Sequence, residues 1–199
     1  MRSAVVLYGG KSARMGADKG KLELKGRPLF VWVLESISQV VDEVVISVST
    51  RGQAEGIEFR DYDVIISPDE RQGLGPIGGI LSGLKRCRGE YVAVAPVDAP
   101  LIKPQLYEML FERAEWHDGA VPKIRGYWEP LVAVYNKNAM IIAIGKAVLN
   151  DTLDIQSTFP QMDVVEVAQR EIEIIDSDLL SFTNINTRKD LENLELNMN

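Results

Sequence analysis

One cysteine and one histidine in 199 residues rule out several kinds of chemistry. Cys87 alone closes no internal disulfide and holds no zinc cluster, so it reads as a small packed hydrophobe. His117, the only histidine, precedes Asp118-Gly119 and reads as an exposed cap at the end of a helix, which leaves no His-based triad and no His-metal centre. No apolar run reaches the roughly 18 residues that a membrane span needs. Gly9-Gly10 breaks the N-terminal apolar run too early for a secretory signal. The expectation is a soluble, cytoplasmic protein with no membrane partner. An excess of basic charge is lacking as well: 22 Lys and Arg against 29 Asp and Glu leave a net charge of −7, which argues against non-specific nucleic-acid binding. Internal repeats, low-complexity tracts and linker-like segments are absent, and 46% hydrophobic content is ample for one core, so residues 1–199 are expected to form a single domain.

What charge there is, is unevenly spread. Residues 11 to 27 hold Lys11, Arg14, Lys19, Lys21, Lys25 and Arg27 against Asp18 and Glu23. Residues 150 to 180 hold eight acids (Asp151, Asp154, Asp163, Glu166, Glu171, Glu173, Asp176 and Asp178) against Arg170. An anionic ligand therefore belongs at the N-terminal loop.

Strand-like and helix-like patterns alternate, the signature of a layered α/β domain. Short β-branched runs fall at 3–7, 43–48, 64–66, 91–95, 120–123 and 131–135. Helices are predicted from Leu29 to Val41, Pro76 to Cys87 and Pro104 to Trp116, each opening beside a proline suited to a first turn, and from Lys137 to Leu149. A closing helix from Thr187 to Leu196 has Thr187 as N-cap and Asp190 three residues later. Residues 151 to 182 show the least periodicity.

The richest segment follows the first strand: Leu7-Tyr8-Gly9-Gly10-Lys11-Ser12-Ala13-Arg14-Met15-Gly16-Ala17-Asp18-Lys19. Glycines let backbone N–H groups approach an anion, and fixed cations neutralise it. A Walker loop would need a glycine where Val5 stands, and the Gly-x-Gly-x-x-Gly dinucleotide fingerprint is missing from this turn. Arg14 and Lys19 are the phosphate candidates, the first by its planar fork and the second as a point charge. Asp98 sits between two prolines after the apolar run 91–95, where α/β folds bind ligands; it reads as a metal ligand or as the start of an Asx-turn. Hard oxygen donors suit Mg2+. Gly78, Gly79 and Gly83 recur on a predicted helix at about 1 kcal/mol each relative to alanine, so a close neighbour must require them.

The 7–19 run resembles the Leu-Ala-Gly-Gly-x-Ser-x-Arg-Met-Gly-x-Asp-Lys signature of nucleotidyltransferases, with Leu22, Gly26 and Pro28-Leu29 at matching spacing, and its Asp-Lys ending is similar to the molybdenum cofactor guanylyltransferase family. Three more segments resemble that family in order: Asp69 with Gly75-Pro76 through Gly83-Leu84, Pro96-Val97-Asp98-Ala99-Pro100, and Phe182-Thr183-Asn184-Ile185-Asn186-Thr187. The resemblance implies a three-layer α/β/α Rossmann-like nucleotidyltransferase fold with a mostly parallel mixed sheet. It also implies a site. Leu7, Tyr8, Gly9, Gly10, Arg14, Lys19 and Ser47 would bind the nucleotide together with Asp69, Gly75, Pro76, Gly79 and Asp98. Arg14, Lys19 and Asp98 would be catalytic, and Asp98 with Asn186 would hold Mg2+. Asn186 and Asn184 are equally explained as capping residues before Thr187. On the acceptor side stand Lys123, Arg125 and Asn184, although a plain hairpin turn at Gly126 explains the first two as well. Tyr8 departs from the usual alanine and Arg188 from a common proline, and the first bears on base choice.

The reaction so implied is attack of a molybdopterin phosphate oxygen on the α-phosphorus of GTP, with pyrophosphate leaving. That nucleophile is already anionic, which agrees with the missing histidine; positioning and electrostatics carry the rate. Another nucleotidyltransferase of this fold is the alternative: a molybdopterin cytidylyltransferase, a cobinamide-phosphate guanylyltransferase or a sugar-phosphate enzyme. A non-catalytic nucleotide-binding module is a further one. Handling a labile cofactor implies transient contact with other cofactor-biosynthesis proteins, for which the acidic stretch is a docking surface or simply a solvated face.

Overall fold

The computed structural model describes residues 1–8, 22–54 and 62–197. Its centre is β1 (Ser3–Leu7), a fully buried strand paired in parallel with β4 (Glu43–Val48) on one side and β6 (Tyr91–Pro96) on the other. Continuous Val, Ile and Ala runs build these strands because helices cover both faces of a parallel sheet. β5 (Val64–Pro68) adds in parallel beyond β4. On the far side β9 (Ala133–Asn136) is antiparallel to β6 and to β7 (Gly119–Ile124), and β10 (Val164–Ala168) closes the edge parallel to β7. The order is β10-β7-β9-β6-β1-β4-β5, with β8 (Tyr127–Trp128) paired to β7 off this path and β2 (Glu23–Leu24) with β3 (Arg27–Pro28) forming a separate hairpin.

Helices α1 (Leu29–Ile37) and α4 (Pro104–Ala114) cover one face through Val33, Leu34, Leu106 and Leu110. The other face packs α3 (Pro76–Leu84) and α5 (Lys137–Leu149) through Ile77, Ile80, Met140 and Ile144. This is the expected α/β/α arrangement. Short helices α2 (Arg51–Ala54) and α6 (Gln169–Ile172) and 3-10 turns at Ile155–Gln161 and Leu180–Phe182 fill connections. A third cluster of Leu24, Leu29, Ile185 and Leu194 joins the β2–β3 hairpin to α1 and to α7 (Arg188–Asn197). Cys87 is buried as expected.

Helix starts follow the sequence signals. Pro76 and Pro104 occupy first turns, and Asn136 caps α5 by accepting from the N–H groups of Asn138 and Ala139 at 3.1 and 3.2 Å. Three helices end earlier than predicted. α1 stops at Ile37, where Val40 N–H turns back to the Ile37 carbonyl (3.1 Å); α3 and α4 stop at Leu84 and Ala114.

The connection order places the site. β1, β4 and β5 progress in one direction, and the chain then crosses to β6 on the other side of β1. Ligands in open α/β sheets bind outside the C-terminal strand ends at such a reversal. Among the described residues no helix is long and apolar enough to cross a membrane.

Candidate active site

Four strands deliver their C-terminal ends to the reversal point, and backbone bonds fix their exits. Tyr8 N–H donates to the Ser47 carbonyl (2.9 Å), Val97 N–H to the Leu7 carbonyl (3.1 Å) and Asp69 N–H to the Val48 carbonyl (2.8 Å). Leu7, Ser47, Asp69 and Asp98 thereby stand at neighbouring strand ends along one edge of the sheet. Gly9, Gly10, Arg14 and Lys19 lie outside the described residues.

Ser47, buried at the end of β4, donates its hydroxyl to Asp69 Oδ1 at 3.3 Å. Helix α3 comes down on this pair through Gly79. A Cβ there would stand 3.0 Å from Ser47 Oγ and 3.2 Å from Leu7 Cδ2, so glycine is what lets the helix approach. Gly83 serves the same end one turn on, where a Cβ would meet Val5 methyls at 2.5 and 2.7 Å. Burial lifts the Asp69 carboxyl above its ordinary value, and the single Ser47 bond does not offset it. Gly75, with φ 63° and ψ −151°, takes a backbone conformation reserved for glycine and turns the chain into Pro76 at the start of α3. The N-terminal amides of α3 thus open on the same edge.

Asp98 follows β6 on a loop held from two directions. Its carbonyl accepts from Ile185 N–H at 2.8 Å, which anchors buried Ile185 and brings its exposed neighbours Asn184 and Asn186 to the Asp98 loop. Behind the loop, Lys103 N–H donates to Ser181 Oγ (3.1 Å), and Lys103 Nζ pairs with Asp176 Oδ1 (3.2 Å) and donates to the Ile175 carbonyl (3.0 Å). Ser181 N–H donates to Asp176 Oδ2 at 2.8 Å. Burial alone would raise the Asp176 carboxyl, but the Ser181 and Lys103 bonds outweigh it and hold it below its ordinary value. Asp176 reads in the sequence as one of many solvated acids, and only its complete burial reveals it as the brace of the Asp98 loop.

The predicted Thr187 cap of α7 is present. Asp190 Oδ2 accepts from the N–H groups of Asn186 (3.0 Å) and Thr187 (2.8 Å), while Thr187 Oγ1 accepts from Asp190 N–H at 3.2 Å. These bonds hold Asp190 below its ordinary value, the Asn186 amide first.

On the acceptor side the hairpin reading is also realised. Arg125 (φ 52°) and Gly126 (φ 86°) form a two-residue turn between β7 and β8, both in the left-handed region that type I′ hairpins require. Lys123 Nζ pairs with Glu166 at 2.9 Å and stands 5.1 Å above the Trp128 ring. Arg125 N–H donates to Gln169 Oε1 at 2.9 Å. The Tyr8 ring lies 6.1 Å from Phe30, edge to face, in the core shared with α1, whereas Ser47 and Gly79 meet on the α3 face. His117 bonds Asp163 Oδ2 at 2.8 Å just before β7 begins, at the end of the sheet away from Asp98.

Carboxylates placed at the reversal of a mostly parallel sheet define the class: a nucleotide-handling α/β enzyme. Residues 4–153 match the model of the MobA-like NTP transferase domain, and the chain belongs to that nucleotidyltransferase family. A probable molybdenum cofactor guanylyltransferase of Methanosarcina acetivorans is 37% identical, over 97% of this chain and 89% of the relative. Another, from Natranaerobius thermophilus, is 35% identical over 96% and 93%. The crystal structure of molybdopterin-guanine dinucleotide biosynthesis protein A from Archaeoglobus fulgidus superposes with a TM-score of 0.85 at 31% identity, covering 98% of both chains. A 2-C-methyl-D-erythritol 4-phosphate cytidylyltransferase from Thermus thermophilus, 18% identical over 98% of both chains with a TM-score of 0.72, shares the fold.

Proposed function

We propose that the chain transfers GMP from GTP to the phosphate of molybdopterin, forming molybdopterin guanine dinucleotide and releasing pyrophosphate, as one nucleotidyltransferase domain. The observation that carries this reading is Asp98 braced at the sheet reversal, with Asn184 and Asn186 drawn to its loop by the Ile185 bond, in a chain of this family.

Among the described residues no group of three or more His, Cys, Asp or Glu side chains is arranged to hold a metal. One carboxylate with neighbouring amide oxygens instead fits a hard ion that keeps waters and bridges nucleotide phosphates, as Mg2+ does. Asp98 and Asn186 would hold it. Bound there, Mg2+ supplies charge neutralisation on the phosphates and on the leaving pyrophosphate. Arg14 and Lys19 add fixed cations on the nucleotide side, and Lys123 and Arg125 hold the acceptor phosphate. The work of these residues is to bring two polyanions together in line, and no general base is needed. Asp69 reads the base: a carboxylate only accepts, which suits the two N–H donors on the guanine edge and opposes the acceptor nitrogen of cytosine. Ser47 orients it.

The test is thermal unfolding with Mg2+ and each of GTP, CTP, ATP and UTP, followed by pyrophosphate release with molybdopterin. Binding stabilises by about 2.7 kcal/mol at a hundred-fold excess over Kd, or roughly 5–10 °C for a chain of this length. A GTP-selective shift whose Mg2+-dependent part vanishes in Asp98→Asn, with turnover lost in Asp98→Ala, is expected. A CTP-selective shift, or near-wild-type turnover in Asp98→Ala, would refute the assignment.

A further inference from the structure

The β7–β8–β9 hairpin carries a deformation beside the site. Glu129 N–H donates to the Pro122 carbonyl at 2.9 Å, and the next register pair is Ala120 with Val134. Five steps from Glu129 to Val134 therefore face two from Pro122 to Ala120. The surplus, Pro130 to Val132, is thrown out as a bulge, a device that re-aims side chains next to active sites. On its other side β9 pairs Ala133 with Val94, and β6 runs on antiparallel from there through Pro96. The bulge thus lies between the end of β6, which leads to Asp98, and the end of β7, which leads to Lys123 and Arg125.

The bulge is rigid. Val132 N–H donates to the Glu129 carbonyl (3.1 Å), and the hydroxyl of fully buried Tyr135 donates to the Pro130 carbonyl (2.9 Å). Trp128, next to Glu129, packs edge to face on Phe159 with centroids 5.4 Å apart. Glu129 itself is only partly exposed, and among the described residues no hydrogen bond or ion pair engages its carboxylate. Burial raises its pKa above the ordinary carboxyl value, with nothing to offset it. A carboxylate held half-buried without a partner is a cost that a bound donor removes.

We infer that Glu129 recognises the acceptor, accepting a pair of N–H donors from the planar ring of the substrate that receives the nucleotidyl group. A phosphate is excluded as its partner by like charge, and the cations for phosphate stand on the neighbouring hairpin tip. Two coplanar donors that match two carboxylate oxygens are what an aminopyrimidinone edge presents, and a pterin carries that edge. The inference rests on the acceptor proposed above and names the residue that distinguishes its ring.

Glu129→Gln tests it in two arms. In pyrophosphate release, the variant raises the KM for molybdopterin about tenfold or more, with kcat and the KM for GTP within about twofold of wild type and no loss of Tm. In direct titration, simple pterin (2-amino-4-oxopteridine), followed by its own fluorescence, binds the variant about tenfold more weakly than wild type. An unchanged molybdopterin KM, a penalty falling on GTP instead, equal pterin binding, or none by wild type overturns the assignment. Pterin discrimination without any turnover would uphold Glu129 and overturn only the proposed reaction.

Discussion

Gly83→Ala and Gly145→Ala are the same chemical change on two helices, and the structure assigns them opposite signs. Gly83 sits on α3 against β1, where a new Cβ would fall 2.5 and 2.7 Å from the two Val5 methyls. Ordinary carbon–carbon contact is about 3.5–4.0 Å. Val5 is fully buried and β-branched, so its rotamer does not yield, and the helix must retreat by about 1 Å. Overpacking of this kind costs about 1–3 kcal/mol, against which alanine's helix preference returns up to about 1. Contacts this short put the cost in the upper part of that range, so the net loss is about 1–2 kcal/mol, a fall in Tm of roughly 2–8 °C for a chain of this length. Gly145 is exposed on α5, and a Cβ there has nothing within 4 Å. The same substitution there should gain up to about 1 kcal/mol and raise Tm by roughly 2–4 °C. Calorimetry and urea midpoints of both variants give the comparison. Because α3 also carries Gly79 onto Ser47, the retreat should weaken GTP binding in Gly83→Ala and leave it intact in Gly145→Ala. A Gly83→Ala protein as stable as wild type would refute the close-packing argument.

Asp176→Ala should destabilise by about 2–3 kcal/mol, since it strands Lys103 and unties the Asp98 loop; the partial exposure of Lys103 keeps the figure below that of a fully buried pair. The carboxyl is held below its ordinary value of 3.8, so its contribution is complete above that pH and fades as pH falls through the lowered value. Wild type and variant should therefore converge in strong acid; a constant difference down to acid would refute the pairing. Asp69 has the opposite sign. Its value is raised above 3.8, so the folded state holds the proton more tightly and wild-type stability declines as pH rises from 3.8 through the raised value. Asp69→Asn should lack that decline and be the more stable protein at pH 7, while losing the GTP-induced shift in Tm. An Asn variant that is less stable at pH 7, or that keeps the full shift, would show that Asp69 is structural.

Where a segment is buried on both faces, its sequence announces it. β1 and β4 were predicted at 3–7 and 43–48 and occur as Ser3–Leu7 and Glu43–Val48; α5, with one apolar face and an Asn cap, also agrees residue for residue. The overshoots of α1 and α3 share one cause. Val40 and Cys87 continue the apolar periodicity of α1 and α3 and are buried, yet they lie in turns closed by shorter-range bonds, such as Arg86 N–H to the Gly83 carbonyl at 2.9 Å. Periodicity reports burial, not the bonding pattern. β10 escaped notice because it is a five-residue edge strand inside an acidic stretch, with Glu166 facing outward to Lys123. The strand expected from Leu131 begins only at Ala133, because the intervening residues form the bulge after Glu129.

The two halves of the proposed site differ in legibility for a physical reason. The nucleotide half is written in local terms: strand ends followed by glycine, aspartate and proline, each answering a backbone need within a few residues. Even the three costly glycines of α3 pointed correctly to close neighbours, and the structure supplied their names in Val5, Ser47, Leu7 and Leu74. The Asp98 brace and the acceptor half depend on register and burial instead. Asp176 and Glu166 look alike in the sequence; one is wholly buried beneath a loop and the other is a surface partner of Lys123. Glu129 follows the hairpin turn at Gly126, and it becomes chemically distinct only through its register with Pro122 and the three-residue mismatch between β7 and β9 that follows it. Charge in a sequence states what a side chain offers. Whether it is spent on water, on the fold or on a ligand is decided by the strands that carry it.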